Sequence, residues 1–503
     1  MMEFQRQHVI ASVTKTLTVI RQNIVSLIVL FVVGSGSETF SLAWIAYIGI
    51  PFLFIAGVAS WYRFLYRISD EELHIKSGIL VRKNMVLKKD RIQVIDISSG
   101  VLLRLFGLVR VDVQTAGSSS REARIDAVTL QRAKEIYRLL RENGENADSE
   151  QEQPATDKLR QTIKLPVKNL FIAATTSGRF GIILSVIATV YSQIQPVLED
   201  TRIFEIVADL IPAEAGLVLF FYILVLFFLI AWFLSFMSTV LTYGNFQLEL
   251  RDDEVVISRG IFEQKRITVP FHRIQAVHVK EGLLRQPLGY ASVHIESAGY
   301  GDQAGSGTFV LYPLLPRKKV AQFLERVLPG YHISLDGIKP PARALRRYIF
   351  RSAIVITAVV AALYFLLDLP VWIWLFALLS IGWGWLRYRD ACLSWNDEFV
   401  LVSSRFLSKQ TAFIKRNRLQ SVQLSASPIQ RWRKLSTPVF HVASGDAGQQ
   451  FQVTDIDAPV AEMLYTELEK STIEPFLPMD AGHQPMSRIP AWSPAPQAAS
   501  EMP

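Results

Sequence analysis

The chain carries one cysteine, Cys392, so no disulfide can close within it and no thiolate cluster can hold a metal. Charge is also scarce: 19% of the residues are Asp, Glu, Lys or Arg and 50% are hydrophobic, too little polar surface to coat a soluble protein of 503 residues. No phosphate loop, nucleophile elbow or zinc-binding helix motif is present. The glycines of "GYGDQAGSGTF" precede no helix, so they read as a hairpin tip and not a nucleotide cradle. His272, His278 and His294 cluster in sequence, yet no carboxylate or cysteine completes a ligand spacing. No catalytic residue, cofactor or metal is expected, and the chain is not read as an enzyme.

The apolar excess is gathered into blocks at 17–33, 40–62, 171–194, 216–240, 349–367 and 371–386. About 20 helical residues cross a bilayer core of about 30 Å, so these blocks predict six transmembrane helices, the first and last of them short. The first block follows Arg6 and Lys15 but runs through Gly34-Ser35-Gly36-Ser37 into a second, which reads as a retained hairpin and not a cleaved signal.

Basic residues mark one side of these hairpins. Lys158, Arg160, Lys164 and Lys168 precede the third block, and Arg343, Arg346, Arg347 and Arg351 crowd the fifth. Arg63 and Arg67 follow the second, and Arg387 and Arg389 the sixth. The connections at 34–39 and around Asp368 have no Lys or Arg, and that at 195–215 has only Arg202. The positive-inside rule then puts both termini and every large polar region in the cytoplasm of a multi-pass protein of the bacterial inner membrane. Topology accounts for the net charge of +8, so nucleic acid is not expected as a partner. Arg21 and Arg179, inside or beside apolar blocks, are expected to snorkel to the membrane interface.

Three polar regions follow the hairpins and repeat one another. Asp70, Gly78, Ile79 and Arg91 match Asp252, Gly260, Ile261 and Arg273 at an offset of 182, and Asp252, Arg273 and Gln275 match Asp397, Arg418 and Gln420 at an offset of 145. In the first copy "LHIKSGIL", "NMVLKKDRI", "LVRVDVQTAG" and "ARIDAV" read as antiparallel strands, with Val109, Val111 and Val113 on one face. "LQRAKEIYRLLRE" then turns helical, with Leu130, Ile136, Leu139 and Leu140 on one side. Strands closed by one helix outline a small α+β domain.

The paired apolar helices, the Gly-Ile step, the Arg-Ile-Gln phrase, "LLRLFGLVRV", "LLRQPLGYASVHI" and the closing helix resemble the bacterial PH-like domain membrane protein family typified by YdbS and YdbT. Three copies look most like its longer, YdbT-type member. The resemblance covers nearly the whole chain up to about residue 475. It implies PH-like domains, each a curved antiparallel sheet with a C-terminal helix, no established catalytic activity, and a setting in envelope stress or antimicrobial peptide resistance or export. The third copy departs from the pattern: Arg405-Phe406 replaces Gly-Ile, and "SPIQRWRKLSTPVFHV" lacks the glycine matching Gly107 and Gly289.

The repeated phrase has apolar residues at Ile92, Ile95 and Ile97, at Ile274, Val277 and Val279, and at Leu419, Val422 and Leu424. A spacing of three and then two forces a change of face just after the glutamine, so each copy predicts a bulge or corner. The glutamine amide can satisfy the backbone freed there, and the arginine can pair with Asp70, Asp252 or Asp397. The other reading makes Arg91, Gln93, Arg273, Gln275, Arg418 and Gln420 contacts for lipid phosphate or a partner's carboxylate.

The expected organisation is an N-terminal segment and first hairpin at 1–62, domains at 63–142, 241–330 and 387–472, and hairpins at 169–240 and 349–386. A polar linker at 143–168, a basic one at 331–348 and a disordered Pro-rich tail at 473–503 complete it. The expected function is a membrane scaffold or sensor whose partners are membrane lipids, a shorter PH-like family member or a second copy of itself, with no small-molecule substrate. The competing reading is a transporter or channel component regulated by the PH-like domains.

Overall fold

The computed structural model describes residues 4–17, 43–69, 71–78, 81–89, 92–115, 123–141, 161–178, 180–187, 189, 216–298, 307–328, 330–331, 337–367, 370–445 and 448–473. The first apolar block, the 195–215 connection, most of the 143–168 linker and nearly all of the tail lie outside them.

The first domain has strands β1 (Gln5–Arg6), β2 (Leu65–Ile68), β3 (Glu72–Ser77), β4 (Lys83–Lys88), β5 (Ile92–Ser99), β6 (Leu108–Thr115) and β7 (Ala123–Thr129) before helix Leu130–Arg141. The second has β8 (Gln161–Lys164), β9 (Gln247–Leu250), β10 (Glu254–Arg259), β11 (Gln264–Pro270), β12 (Ile274–Glu281), β13 (Tyr290–Ser297) and β14 (Thr308–Pro316) before helix Val320–Val327. The third has β15 (Cys392–Trp395), β16 (Phe399–Arg405), β17 (Lys409–Lys415), β18 (Leu419–Ser425), β19 (Leu435–Val442), β20 (Gln449–Gln452) and β21 (Ile456–Asp457) before helix Ala458–Ile473.

Each domain is a sandwich of an N-terminal and a C-terminal sheet around its own core. Val109, Val111 and Val113 face the first core as the alternation predicts, with Ile136 and Leu140 of the closing helix over them. Leu130 does not join them: it begins the helix and is exposed, and Ala133 fills that place.

The membrane segments are inserted within the sheets. β1 precedes the first two apolar blocks and pairs with β2 beyond them, Gln5 opposite Tyr66. β8 does the same with β9, Ile163 opposite Leu248, and Ile338 bridges Leu393 in the third copy. Under the repeat offsets these three pairs share one register. The two ends of each insertion are thereby clamped side by side, so both are delivered to the same side of the domain.

Among the described residues three helical segments are long and apolar enough to cross a membrane, Leu224–Tyr243, Ala342–Phe365 and Val371–Asp390. Helix 167–175 with 180–187 makes a fourth if the pair, bent by 47°, is one span. That is fewer than the six expected. The second block holds helix Ala43–Arg63, and the first lies outside the described residues. In the sixth, Val371–Leu378 is a 3-10 helix ahead of α-helix Leu379–Asp390. At about 2.0 Å per residue against 1.5, the tighter coil lengthens a block that sequence reads as short. It packs closely on its hairpin partner: a Cβ on Gly384 would lie 2.5 Å from the Ile349 Cα.

Candidate functional site

The repeated phrase is a corner in all three copies. Strand pairing slips between Ile92 and Val94, between Ile274 and Ala276, and between Leu419 and Ser421, which places a bulge at Gln93, Gln275 and Gln420. A 3-10 turn, Phe271–Arg273 or Arg416–Arg418, leads into the second and third. The change of face sends Ile274, Val277 and Val279 into one core while Ala276 enters the next.

The side chains at the corner differ between copies. Gln275 is buried and its Nε2 donates to the Arg273 carbonyl at 3.0 Å, while Gln420 is exposed. Gln275→Ala should therefore cost about 1 kcal/mol and Gln420→Ala less than about 0.5, read from the melting of the two variants. Arg91, Arg21 and Arg179 and the Gln93 side chain lie outside the described residues. In the third copy Asp397 has Arg416 Nη1 at 3.8 Å. Burial lowers the Arg273 pKa, and both Arg273 and Arg418 help to depress that of His272, after burial itself, so the second and third corners converge.

That convergence reflects an arrangement absent from the sequence reading. The C-terminal sheet of each domain continues into the N-terminal sheet of the next. One seven-stranded sheet runs β7-β6-β5-β11-β10-β9-β8, and a six-stranded sheet runs β14-β13-β12-β17-β16-β15. At the first seam Ser99 faces Gln264 and Ser98 faces Lys265. At the second Glu281 faces Lys409 and Lys280 faces Gln410, and pairing continues to Ala276 opposite Ile414. The offsets of 182 and 145 superimpose the two registers. Each seam is latched between one equivalent position, 104 or 286, and the turn of the next domain, at neighbouring positions there and with the arginine on opposite sides. Arg104 Nη1 donates to the Ile261 carbonyl at 2.9 Å, and Arg405 Nη2 donates to Gln286 Oε1.

The second seam encloses a polar cluster. His278 and His294 face each other across β12 and β13 with ring centroids 5.0 Å apart, and Phe451 of the third domain covers His278 at 5.7 Å. Gln410 of β17 is 2.7 Å from His278 Nδ1, and Glu296 accepts from Thr308 at 2.9 Å and from Ser444. Burial, helped by Lys280, holds His278 down to about 3, and burial keeps His294 well below its ordinary value. Burial raises Glu296 against its two hydroxyl donors. Among the described residues no three His, Cys, Asp or Glu are grouped to hold a metal.

Below pH about 6.5 the unfolded imidazoles take protons that the folded ones refuse, so stability falls with pH from there toward 3, by up to about 1.4 kcal/mol per unit for each histidine. Glu296, with its raised pKa, takes up a proton on folding and acts in the opposite sense. The protein should melt lower at pH 5.5 than at 7.5, and His278→Gln should flatten that difference.

The departures in the third copy have structural uses. Gly78 and Gly260 turn with φ of +99° and +108°, whereas Arg405, at their position, stays in β16 and pairs with Asp390 at the end of the last membrane helix. Lys434 replaces the glycine matching Gly107 and Gly289 and adopts φ +53° itself. Lys434→Gly should relieve that conformation and stabilise the third domain by about 1 kcal/mol, visible as a raised melting temperature.

Basic residues attributed to topology also hold the domains to the helices. Arg347 Nε lies 3.0 Å and Arg351 Nη1 3.7 Å from the buried carboxylate of Asp455, and Arg343 pairs with Asp457. Arg285 donates to Thr176 Oγ1 and to the Ala173 carbonyl, both at 3.2 Å, at the end of helix Val167–Thr175. The turn after each bulged strand exposes large apolar side chains: Leu105 and Phe106, Leu284 and Leu288, Ile429 and Trp432. Arg285 and the Arg343 contacts to the Arg433 and Lys434 carbonyls set the second and third of these turns beside the membrane helices.

A model of the bacterial PH domain matches residues 18–144, 204–330 and 344–472. The chain is also 31% identical over 483 residues, 91% of its length and 96% of the relative's, to UPF0699 transmembrane protein YdbT of Bacillus subtilis (strain 168). Each match takes in the last apolar block before its domain and runs to the closing helix, and each begins after the first strand or bridge residue, β1, β8 or Ile338, that the strand register adds to the unit. The chain belongs to the family of YdbT-like transmembrane proteins built from three bacterial PH domains.

Proposed function

We propose that this protein is a multi-pass scaffold or sensor of the bacterial inner membrane, with six spans in three hairpins and with both termini and all three PH-like domains in the cytoplasm. It binds protein through strand edges and anionic lipid through the apolar and basic turns, and it catalyses nothing. The observation that carries this reading is the strand addition at both seams. It shows what surface these domains use when they bind one another, and two such edges are left over. β4 pairs only with β3 and β18 only with β19 among the described residues. Backbone groups on such edges supply hydrogen bonds to an added strand. Trp432, 81% exposed next to Arg431 and Arg433, has the chemistry of a membrane-interface anchor.

A photo-reactive amino acid placed at Val86 of β4, at Gln423 of β18 and at Trp432 tests the assignment in native membranes. Discrete protein adducts at the two edges and lipid adducts at Trp432 are expected. Edges that yield lipid alone or nothing would overturn the protein-binding reading. The setting proposed for this scaffold is the one that the family resemblance implies, envelope stress or antimicrobial peptide resistance or export.

A further inference from the structure

We infer that the two unpaired edges are complementary, and that copies of this chain join head to tail in the membrane by adding β18 of one to β4 of the next. The inference deepens the strand-edge reading above and rests on it.

β4 stands where β11 and β17 stand in the other copies, and those two strands are added to the preceding domain. β18 stands where β5 and β12 stand, and those receive the following domain. The chain therefore ends in one acceptor and one donor of a contact that it makes twice internally, in one register. Carrying that register outward by the repeat offsets places Ser425 opposite Lys83, Gln423 opposite Met85 and Ser421 opposite Leu87. Exposure follows the vacancy. In β12 every residue is buried except Lys280, whereas in β18 four of seven are exposed, and Val86 of β4 is 50% exposed.

The latch positions are carried over as well. Arg431 is the residue matching Arg104 of the first seam, an arginine at both places, and it is exposed. The turn that Arg104 grips begins at Gly260, and its counterpart at the free end begins at Gly78, with φ of +108° and +99°. Lysines at the ends of an edge strand often block pairing. Lys83 and Lys88 do not argue against it here, since β17 carries Lys409 and Lys415 and still pairs with β12 from Lys409 to Ile414.

The contact between copies is weaker than the second seam within one. There Phe399, Leu401 and Phe413 extend the second domain's core, and the matching residues are Glu254, Val256 and Thr268 at the first seam and Glu72, His74 and Val86 at the free edge. A joint with so little apolar cover is reversible. Because donor and acceptor are different surfaces, the assembly is an open row or a closed ring and not a two-fold dimer.

The test uses the full-length protein in native membranes, with Cys392→Ser to remove the native thiol. Two differently tagged copies are co-expressed, one with Lys83→Cys and the other with Ser425→Cys, both on exposed edges, and mild oxidation is applied. Lys280→Cys with Gln410→Cys in one chain reports that the second seam is folded and the thiols reactive. The expected result is a disulfide between the two tags, at least fivefold weaker when Ser425→Cys is offered Lys88→Cys, absent between two Lys83→Cys copies, and reduced severalfold by Arg431→Glu while the internal bond still forms. An internal bond without an intermolecular one overturns the inference. So does equal crosslinking at 83 and 88, or capture at Ser425 of a different protein alone. In that last case the photo-adducts at the edges would still stand, so the scaffold reading survives; loss of protein adducts at both edges removes both.

Discussion

Arg405→Ala should cost about 3 kcal/mol, among the largest losses from any single side chain in the protein. The guanidinium is 1% exposed and bonds Asp390 on one side and Gln286 of the second domain on the other. Its removal leaves the Asp390 carboxylate, 8% exposed, with only Lys409 Nζ at 3.7 Å. A buried charge without its partner is costly, whereas removing both charges together costs far less. Arg405→Met with Asp390→Leu should therefore recover most of the loss. Thermal unfolding in detergent compares the three proteins, and a single variant as stable as the parent would show that Asp390 is solvated. Because Arg405 also latches the second seam through Gln286, both variants should expose the 409–415 strand to protease earlier than the parent.

Gly260→Ala should cost at least about 3 kcal/mol, from backbone strain of about 1–3 kcal/mol together with a clash that no rotamer relieves. A Cβ there would lie 2.0 Å from the Glu263 carbonyl oxygen, on backbone with φ +108°. That carbonyl belongs to the β10–β11 connection, and Gly260 N–H donates to the Gly244 carbonyl at 2.8 Å just beyond helix Gly216–Tyr243. The damage thus reaches the junction of membrane helix and sheet, and the Ile261 carbonyl that Arg104 grips moves with it. Gly107→Ala supplies the contrast. Its φ is +65° and a Cβ would meet nothing within 4 Å, so about 1 kcal/mol is expected. Melting curves that rank the two variants equally would mean that the Glu263 carbonyl yields.

The repeats, the apolar blocks and the corner were all legible in the sequence, because each is written in local side-chain pattern. A spacing of three and then two cannot be accommodated by a regular strand, and the bulges at Gln93, Gln275 and Gln420 are the backbone's response. Helix faces were less legible at their ends. Leu130 fits the apolar period but is the first residue of its helix and is exposed, while Ala133, Ile136 and Leu140 carry the buried face. The basic residues that crowd the fifth block read as topology alone, yet Arg343, Arg347 and Arg351 meet Asp455 and Asp457 more than a hundred residues later. Such pairs leave no periodicity to read.

By itself the sequence determined that this protein is three tandem copies of one domain, each with a membrane segment and a corner after its glutamine, since burial and period are carried by side chains. Only the tertiary structure decided that each pair of apolar blocks is inserted after a first strand or bridge, that consecutive domains share a sheet, and that, among the described residues, one edge remains open at each end. Those joints are made by backbone N–H and C=O groups, which every residue but proline offers alike, so no side chain announces which strand will lie beside which.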